Sequence, residues 1–268
     1  MDIETLKTKV FVSCPYSLLV TTYLDRIRIE RLQPEISLND GSLDRYTLRS
    51  FAETARILAE EGLSCTFHAP FLDLSLGAID PKVRRVTRDR LEYTFEIARI
   101  FGPRSVVCHT GFDHRHYGPY TKAWLKNAVQ TLLPLTEQAS SADIPIMLEN
   151  VFELDPSIHA EIFTQIPSPH LGFCLDLGHQ TVFSRSDLAT WMNACGRRLG
   201  HVHLHDNRGE WDEHLALGSG ILDFDALFSR LKEDGLSPIL TIEAHRSEDI
   251  LPSLVALSGL LDRYPLWP

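Results

Sequence analysis

The sequence predicts a single (β/α)₈ barrel over residues 1–268. Short apolar runs alternate with longer helical patterns, which is typical of a parallel α/β arrangement. The length of 268 residues is close to the roughly 250 that such a barrel needs. Glycine and proline lie at element boundaries and do not form a linker, so the chain is read as one domain.

Eight short apolar runs are the predicted strands. In chain order they are Val10–Cys14, Glu35–Leu38, Cys65–His68, Ser105–His109, Ile144–Glu149, Gly172–Asp176, His201–His203 and Leu240–Glu243. A helical pattern separates most neighbouring runs, and parallel strands need such a crossover. We therefore expect eight parallel strands in chain order.

The predicted helices carry recognisable start and stop signals. One helix follows Ser42 and ends at Gly62, and another begins at Asp80-Pro81. Pro134 falls inside a further helical pattern, where it is expected to cause a kink. The segment Leu18–Arg31 has no clean apolar face, so the first helix of the barrel is expected to be short or distorted.

Composition limits the possible partners and the location of the protein. The formal net charge of −10 argues against a broad basic face for non-specific nucleic-acid binding. The five cysteines form no Cys-x-x-Cys pair, which suits buried thiols in a reducing compartment. The chain lacks a signal-peptide pattern and an apolar run of roughly 18 residues. These features predict a cytoplasmic protein that does not span a membrane.

Metal-ligand side chains occur at the ends of six of the eight predicted strands: His68, His109, Glu149, Asp176, His203 and Glu243. Three more follow in the loops: His179, Asp212 and His214. A lone histidine or aspartate at a strand end is more often a capping residue, but capping does not explain six strands. The C-terminal strand ends of a barrel meet at one mouth, so these side chains predict a divalent-metal site. Imidazole and carboxylate without thiolate suit Zn, Mn, Fe or Co.

Seven motifs occur in order: HAP (His68–Pro70), HTG (His109–Gly111), EN (Glu149-Asn150), DLGH (Asp176–His179), HVHLHDN (His201–Asn207), DEHLALGSG (Asp212–Gly220) and IEAH (Ile242–His245). As a set they resemble the xylose isomerase-like barrel superfamily, which includes sugar isomerases, sugar epimerases and endonuclease IV. The resemblance runs from about Val10 to the last helix.

The isomerase and epimerase branch implies one metal ion, held by Glu149, Asp176, His203 and Glu243. The two glutamates would also be the catalytic acid and base that move a proton beside a carbonyl. His179 and Arg208 would contact substrate oxygens.

The endonuclease IV branch implies three metal ions and uses all nine candidate residues. The first ion would be held by His68, His109 and Glu149; the second by Glu149, Asp176, His203 and Glu243; the third by His179, Asp212 and His214. The four carboxylates carry four negative charges, so three divalent ions would leave about two positive charges, which favour a phosphate substrate. One ion against the three carboxylates of the isomerase set leaves about one negative charge, which suits a neutral polyol.

Two more residues beside the motifs are predicted to contact substrate. Trp211 is either a lid over a sugar ring or a packed anchor of its loop. His205 occupies a position where the resembled family often has lysine, and it alternates with His201 and His203, so it is either a substrate contact or a support for a ligand.

The working hypothesis is a metal-dependent isomerase or epimerase acting on a small sugar or sugar phosphate, with one to three ions per chain. The compact acidic chain and the paired Glu149 and Glu243 favour it. The alternative is a three-metal phosphoesterase or abasic-site endonuclease, and only this alternative makes nucleic acid a partner. A third class is a barrel that keeps its ligands as a structural or metal-sensing module. The sequence does not predict an oligomeric state.

Overall fold

The computed structural model describes residues 1–39 and 41–267, and within them eight parallel strands form a closed barrel. The strands are β1 Phe11–Pro15, β2 Gln33–Ser37, β3 Thr66–His68, β4 Val106–His109, β5 Ile146–Glu149, β6 Leu171–Asp176, β7 Leu199–Leu204 and β8 Ile239–Ile242. Each strand pairs with the next in the chain, and β1 closes the barrel against β8. The predicted (β/α)₈ barrel is confirmed.

Each predicted strand coincides with an observed one, with small differences at the ends. Strand β8 ends at Ile242, so Glu243 lies one residue beyond the strand. Strand β7 continues to Leu204, one residue past His203. The six strand-end candidate ligands therefore lie on the last two residues of their strands or directly after them.

The helices run between the strands. They are α1 Ile3–Lys7, α2 Tyr16–Leu18, α3 Leu24–Glu30, α4 Ser42–Arg45, α5 Leu48–Glu60, α6 Pro81–Phe101, α7 His114–Tyr117, α8 Thr121–Ala142, α9 Ser157–Gln165, α10 Leu177–Phe183, α11 Leu188–Cys195, α12 Phe224–Glu233 and α13 Ile250–Arg263. Short 3₁₀ turns cover Gly118–Tyr120, Gly196–Arg198 and Ser247–Asp249.

The helix predictions are largely confirmed, with one correction. Asp80 caps α6 by accepting a hydrogen bond from the Lys82 N–H at 2.7 Å. The helix expected after Ser42 is divided in two, because Thr47 is extended and caps the start of α5. The α8 helix continues through Pro134. The expected distortion of the first barrel helix is present, since a π-helical turn, Leu19–Tyr23, separates α2 from α3.

The apolar core lies between the outside of the barrel and the helices. Its largest members are aromatic, and Phe67 of β3, Phe173 of β6, Trp124 of α8 and Trp191 of α11 are fully buried. All five cysteines are buried and none forms a disulfide bond, as the composition predicted. Within the described residues, no helix combines the length and apolar character needed to cross a membrane.

Candidate metal centre

The nine candidate ligands meet at the C-terminal mouth of the barrel in three groups, and Glu149 belongs to the first two. The first group is His68, His109 and Glu149, from β3, β4 and β5. Glu149 Oε2 lies 3.2 Å from Nε2 of His68 and 3.1 Å from Nε2 of His109. The His68 ring also places Nδ1 at 2.9 Å from the carbonyl oxygen of Ala69. A carbonyl only accepts, so Nδ1 carries the proton and donates it.

The second group surrounds His203 on β7. Its Nδ1 lies 3.3 Å from Glu149 Oε1, 3.4 Å from Glu243 Oε2 and 4.0 Å from Asp176 Oδ2. His203 Nδ1 and Glu243 Oε2 are buried and have no aligned hydrogen bond to any described residue. Polar atoms buried in this way need a partner, and several acceptors around one nitrogen suit a cation.

The third group is His179, Asp212 and His214. Asp212 Oδ2 lies 3.2 Å from Nε2 of His179 and 3.1 Å from Nε2 of His214. Both rings are fixed through Nδ1, which donates to the Asn150 carbonyl in His179 and to the Glu243 carbonyl in His214, at 3.0 and 2.9 Å. The Nε2 atoms of His179 and His214 are therefore the ring nitrogens that are available to bind a metal ion.

Local hydrogen bonds fix the positions of several of these side chains. Asp176 is the N-cap of α10 and accepts the His179 N–H at 2.7 Å, which ties two candidate ligands together. Asp206 accepts backbone hydrogen bonds from Gly218 and Gly220 at 3.0 and 2.8 Å and so closes the loop that carries Asp212 and His214. A Cβ at position 220 would lie 2.1 Å from a backbone oxygen, so this close approach requires glycine.

The backbone of His214 is in the left-handed region, with φ at +51°. This conformation is uncommon for residues other than glycine and asparagine. Here it belongs to a residue whose side chain faces Asp212, and backbone strain of this kind often occurs at functional sites.

The surroundings lower the pKa values of the Glu149 and Asp176 carboxyls and raise that of the His214 imidazole. Burial alone would raise the pKa of the Glu149 carboxyl, but His203 and His109 hold it well below its usual range. Burial disfavours the charged form of His214, yet Asp212 and Glu243 raise its pKa to about 9. Burial also opposes ionisation of Asp176, but the neighbouring His179 and His205 lower its pKa to about 2. The low pKa values of the Glu149 and Asp176 carboxyls mean that both groups are ionised at neutral pH, and their negative charge attracts cations.

The donor set fits divalent metal ions. Two ligand atoms bound at about 2.05 Å to one tetrahedral ion lie about 3.3 Å apart. The separations between histidine nitrogen and carboxylate oxygen in the first and third groups are 3.1–3.2 Å. In His68, His179 and His214 the proton of the neutral ring is used at Nδ1, so each Nε2 presents a lone pair to a carboxylate oxygen. That repulsion is removed either by a metal ion between the two atoms or by a second proton on the ring, and the raised pKa of His214 favours the proton in the metal-free protein.

Glu35 was not among the sequence-predicted site residues. It is fully buried inside the barrel on β2, where its Oε1 lies 2.9 Å from Nε2 of His203. Its Oε2 accepts hydrogen bonds from Thr66 at 2.8 Å and Thr241 at 2.9 Å. The signal available in the sequence was a charged residue within a run that was predicted to be a buried strand. Closure of the barrel then places Glu35 beside His203.

The three predicted substrate contacts other than His179 lie in different surroundings. His205 is 1% exposed and donates from Nε2 to Asp176 Oδ2 at 2.9 Å, which is the support position the sequence allowed. Arg208 is largely exposed and forms an ion pair with Glu213. Trp211 is 74% exposed, so it is not a packed loop anchor. Substrate roles for Arg208 and Trp211 stay predictions.

A cavity of about 600 Å³ opens in front of the ligands. Its floor includes His68, His109, Glu149, His179 and Asp212. His245, from the IEAH motif, also lines it and stacks on His214 with ring centroids 3.8 Å apart. This volume is typical of sites for small molecules.

Comparisons with known proteins find relatives with similar sequences and similar folds. Probable endonuclease 4 of Mycobacterium leprae is 28% identical over 228 residues, which cover 79% of this chain and 85% of that protein. A D-tagatose 3-epimerase-like protein has a solved structure with a TM-score of 0.83 and 27% identity, and the match covers 96% of this chain and 98% of that one. A protein of Thermus thermophilus, solved after soaking with ZnCl₂, matches with a TM-score of 0.78 and 26% identity over 95% and 98% of the two chains.

Residues 32–259 match the family described as Xylose isomerase-like TIM barrel. Enzymes with different reactions, including epimerases and endonuclease 4 proteins, are among the similar proteins. The closed barrel and the motifs at its mouth agree with the match. The chain belongs to the xylose isomerase-like TIM barrel family.

Proposed function

We propose that this protein is a phosphoesterase that uses three divalent metal ions. The observation that carries the proposal is the fixed orientation of His68, His179 and His214, whose Nε2 lone pairs face Glu149 or Asp212. With a single ion on the isomerase set, the first and third groups would hold no metal ion, and only protons on their histidines would balance Glu149 and Asp212. The similarity to the endonuclease 4 proteins supports the same choice.

When bound, the ions would supply Lewis acidity and positive charge for hydrolysis of a phosphoester. The protein residues would bind the ions and hold one another in position. Glu149 would join the first two ions, because its two oxygens face different histidines. Asp212 would orient His179 and His214 toward the third ion. The Asp206 turn and the Asp176 cap hold these residues in place before substrate arrives.

The proposal is tested by metal content and turnover of the same preparation. We expect about three Zn or Mn ions per chain by elemental analysis, and metal-dependent release of phosphate from a panel of phosphomonoesters and phosphodiesters. A duplex with an abasic site belongs in the panel, with EDTA-treated protein as the control. One ion per chain and no hydrolysis of any phosphoester would reject the proposal.

A metal-dependent sugar isomerase or epimerase is the second candidate. It is favoured by the complete set of Glu149, Asp176, His203 and Glu243 and by the D-tagatose 3-epimerase-like structure. Glu243 keeps 16% side-chain exposure at the cavity and is thus accessible to substrate. However, Glu149 is 1% exposed and faces four histidines, which makes it a poor proton carrier.

The isomerase candidate predicts exchange of a substrate C–H proton with solvent. Incubation of the metal-loaded protein in D₂O with a panel of ketoses and their phosphates, followed by proton NMR, measures this exchange. Deuterium incorporation that disappears in Glu243→Gln would support the second candidate over the first.

A further inference from the structure

The cavity in front of the metal centre has two chemically different sides. One side is the floor of histidines and carboxylates described above. The other is a wall that we call the aromatic wall, formed by Phe71, Phe112, Tyr117, Phe152 and Phe183. A substrate that fills the cavity must therefore present a group for the metal floor and a second group for an apolar surface.

Four rings of the aromatic wall pack in two pairs, Phe152 with Phe183 and Phe112 with Tyr117. Phe152 packs edge-on against Phe183 with centroids 4.9 Å apart, and Phe71 stacks on His109 at 4.1 Å. Phe152 remains 40% exposed, so its ring surface is accessible to a ligand. Exposed aromatic surface beside a polar site favours a flat apolar partner.

The charge around the cavity favours a substrate with a single phosphate over a polyanion. Among the described residues that line it there is no lysine or arginine, and Asp73 and Asp113 are acidic. Arg115 lies over the Phe152 ring at 5.6 Å, but its guanidinium is bound to Asp113 at 2.7 Å. Proteins that hold nucleic acid or polyphosphate neutralise the additional phosphates with lysine and arginine. Here only the metal ions could bind phosphate.

We propose that the substrate is a small phosphoester with one phosphate and an apolar, aromatic group on the ester oxygen. This assignment rests on the proposed phosphoesterase function and names its substrate class. The phosphate lies on the metal floor and the apolar group lies against the aromatic wall. Water adds its oxygen to phosphorus, the ester P–O bond breaks, and the alkoxide takes one water proton. A monoester thus gives one alcohol and one hydrogen phosphate ion.

Two matched pairs of probes test the assignment. The first pair is 2-phenylethyl phosphate and ethyl phosphate, which have similar leaving groups and differ by one phenyl ring. The second pair is the corresponding phosphonates, which cannot be hydrolysed and report binding by calorimetry. With metal-loaded protein, we expect the phenyl member of each pair to have a KM or Kd about tenfold lower, since burial of a ring contributes about that factor.

Phe152→Ala should remove most of this preference by raising the KM for the phenyl ester several-fold more than the KM for ethyl phosphate. Phe152→Tyr should retain the preference. Leu133→Ala, at a 43% exposed position on α8 away from the cavity lining, is the control. Equal phosphonate affinities, or an equal effect of Phe152→Ala on both esters, would overturn the assignment. So would a larger kcat/KM for an abasic duplex than for the phenyl ester.

The two proposals fail in different ways. Selective binding of the phenyl phosphonate without hydrolysis of any ester would reject the phosphoesterase function and leave the aromatic wall as a binding surface. Hydrolysis of both esters without selectivity would reject the substrate class alone.

Discussion

Two kinds of buried histidine occur inside this barrel. His201 on β7 lies below the mouth, where Nδ1 is 3.1 Å from the Ser105 hydroxyl and Nε2 is 2.7 Å from the Thr241 hydroxyl. Nε2 also lies 3.2 Å from Glu35 Oε2. A hydroxyl either donates or accepts, so a neutral His201 that carries its proton on Nε2 can donate to Thr241 and Glu35 and accept from Ser105 through Nδ1. Burial lowers its pKa, which agrees with a neutral ring.

The histidines at the mouth have different partners. His179 and His214 each use Nδ1 on a backbone carbonyl and direct Nε2 at Asp212. Both partners only accept, so a neutral ring cannot satisfy them together. The comparison shows that partner chemistry, and not burial or position on a strand, separates a structural histidine from a candidate metal ligand.

Among the variants of the metal centre, Glu149→Gln has the largest expected effect. The amide keeps the shape but removes the charge that faces four histidines. We expect loss of at least one ion and a fall in metal-dependent kcat/KM of more than about 100-fold. Glu153→Gln is the matched control, because Glu153 is 2% exposed and its carboxylate contacts Thr110 and the Val151 N–H. An unchanged ion count in Glu149→Gln would contradict the bridging role.

A pair of histidine variants tests the comparison directly. His214→Asn should remove the third ion and lower kcat/KM by about 10- to 100-fold, with two ions per chain remaining. His201→Asn should cost stability, about 1–3 kcal/mol from the lost buried contacts, and keep all the ions. Elemental analysis measures the ion content of both variants, and thermal unfolding measures their stability. If His201→Asn lost an ion, the distinction drawn from hydrogen-bond partners would be wrong.

Glu35→Gln tests whether the buried polar residues below the mouth, among them Glu35, strengthen metal binding at the mouth. Glu35 Oε1 lies 2.9 Å from Nε2 of His203, so its charge should strengthen His203 as a ligand through Nδ1. We expect about tenfold weaker metal binding in a chelator competition. Thr66→Val removes a hydrogen bond to Glu35 but keeps the charge, so its metal affinity should match that of the unchanged protein.

The barrel and its nine candidate ligands were accessible from sequence because both follow local patterns. Six of the eight apolar runs end in a candidate ligand such as His109 or Glu149, and a parallel barrel brings those ends together. Glu35 was not accessible in this way. It lies in the middle of β2, and only barrel closure places it beside His203 of β7. The role of His205 as a partner of Asp176 likewise depends on the path of the chain after β7.

The smallest expected effect is the pH dependence of stability, which should have opposite signs with and without metal. In the metal-free protein, burial disfavours the charged form of His214, but Asp212 and Glu243 raise its pKa to about 9 from its usual 6.5. This group therefore contributes stability that is fully present below pH 6.5 and is lost as the pH rises to about 9.

Metal binding reverses the dependence, because the bound ligands are deprotonated and affinity rises as protons leave the histidines. We expect the Tm of the metal-free protein to fall by roughly a few degrees between about pH 6.5 and 9. The Tm of the metal-loaded protein should rise between about pH 5.5 and 7. Thermal unfolding with and without EDTA measures both slopes. His214→Asn should flatten the metal-free slope. Parallel slopes in the two forms would mean that the mouth histidines do not exchange protons for metal ions.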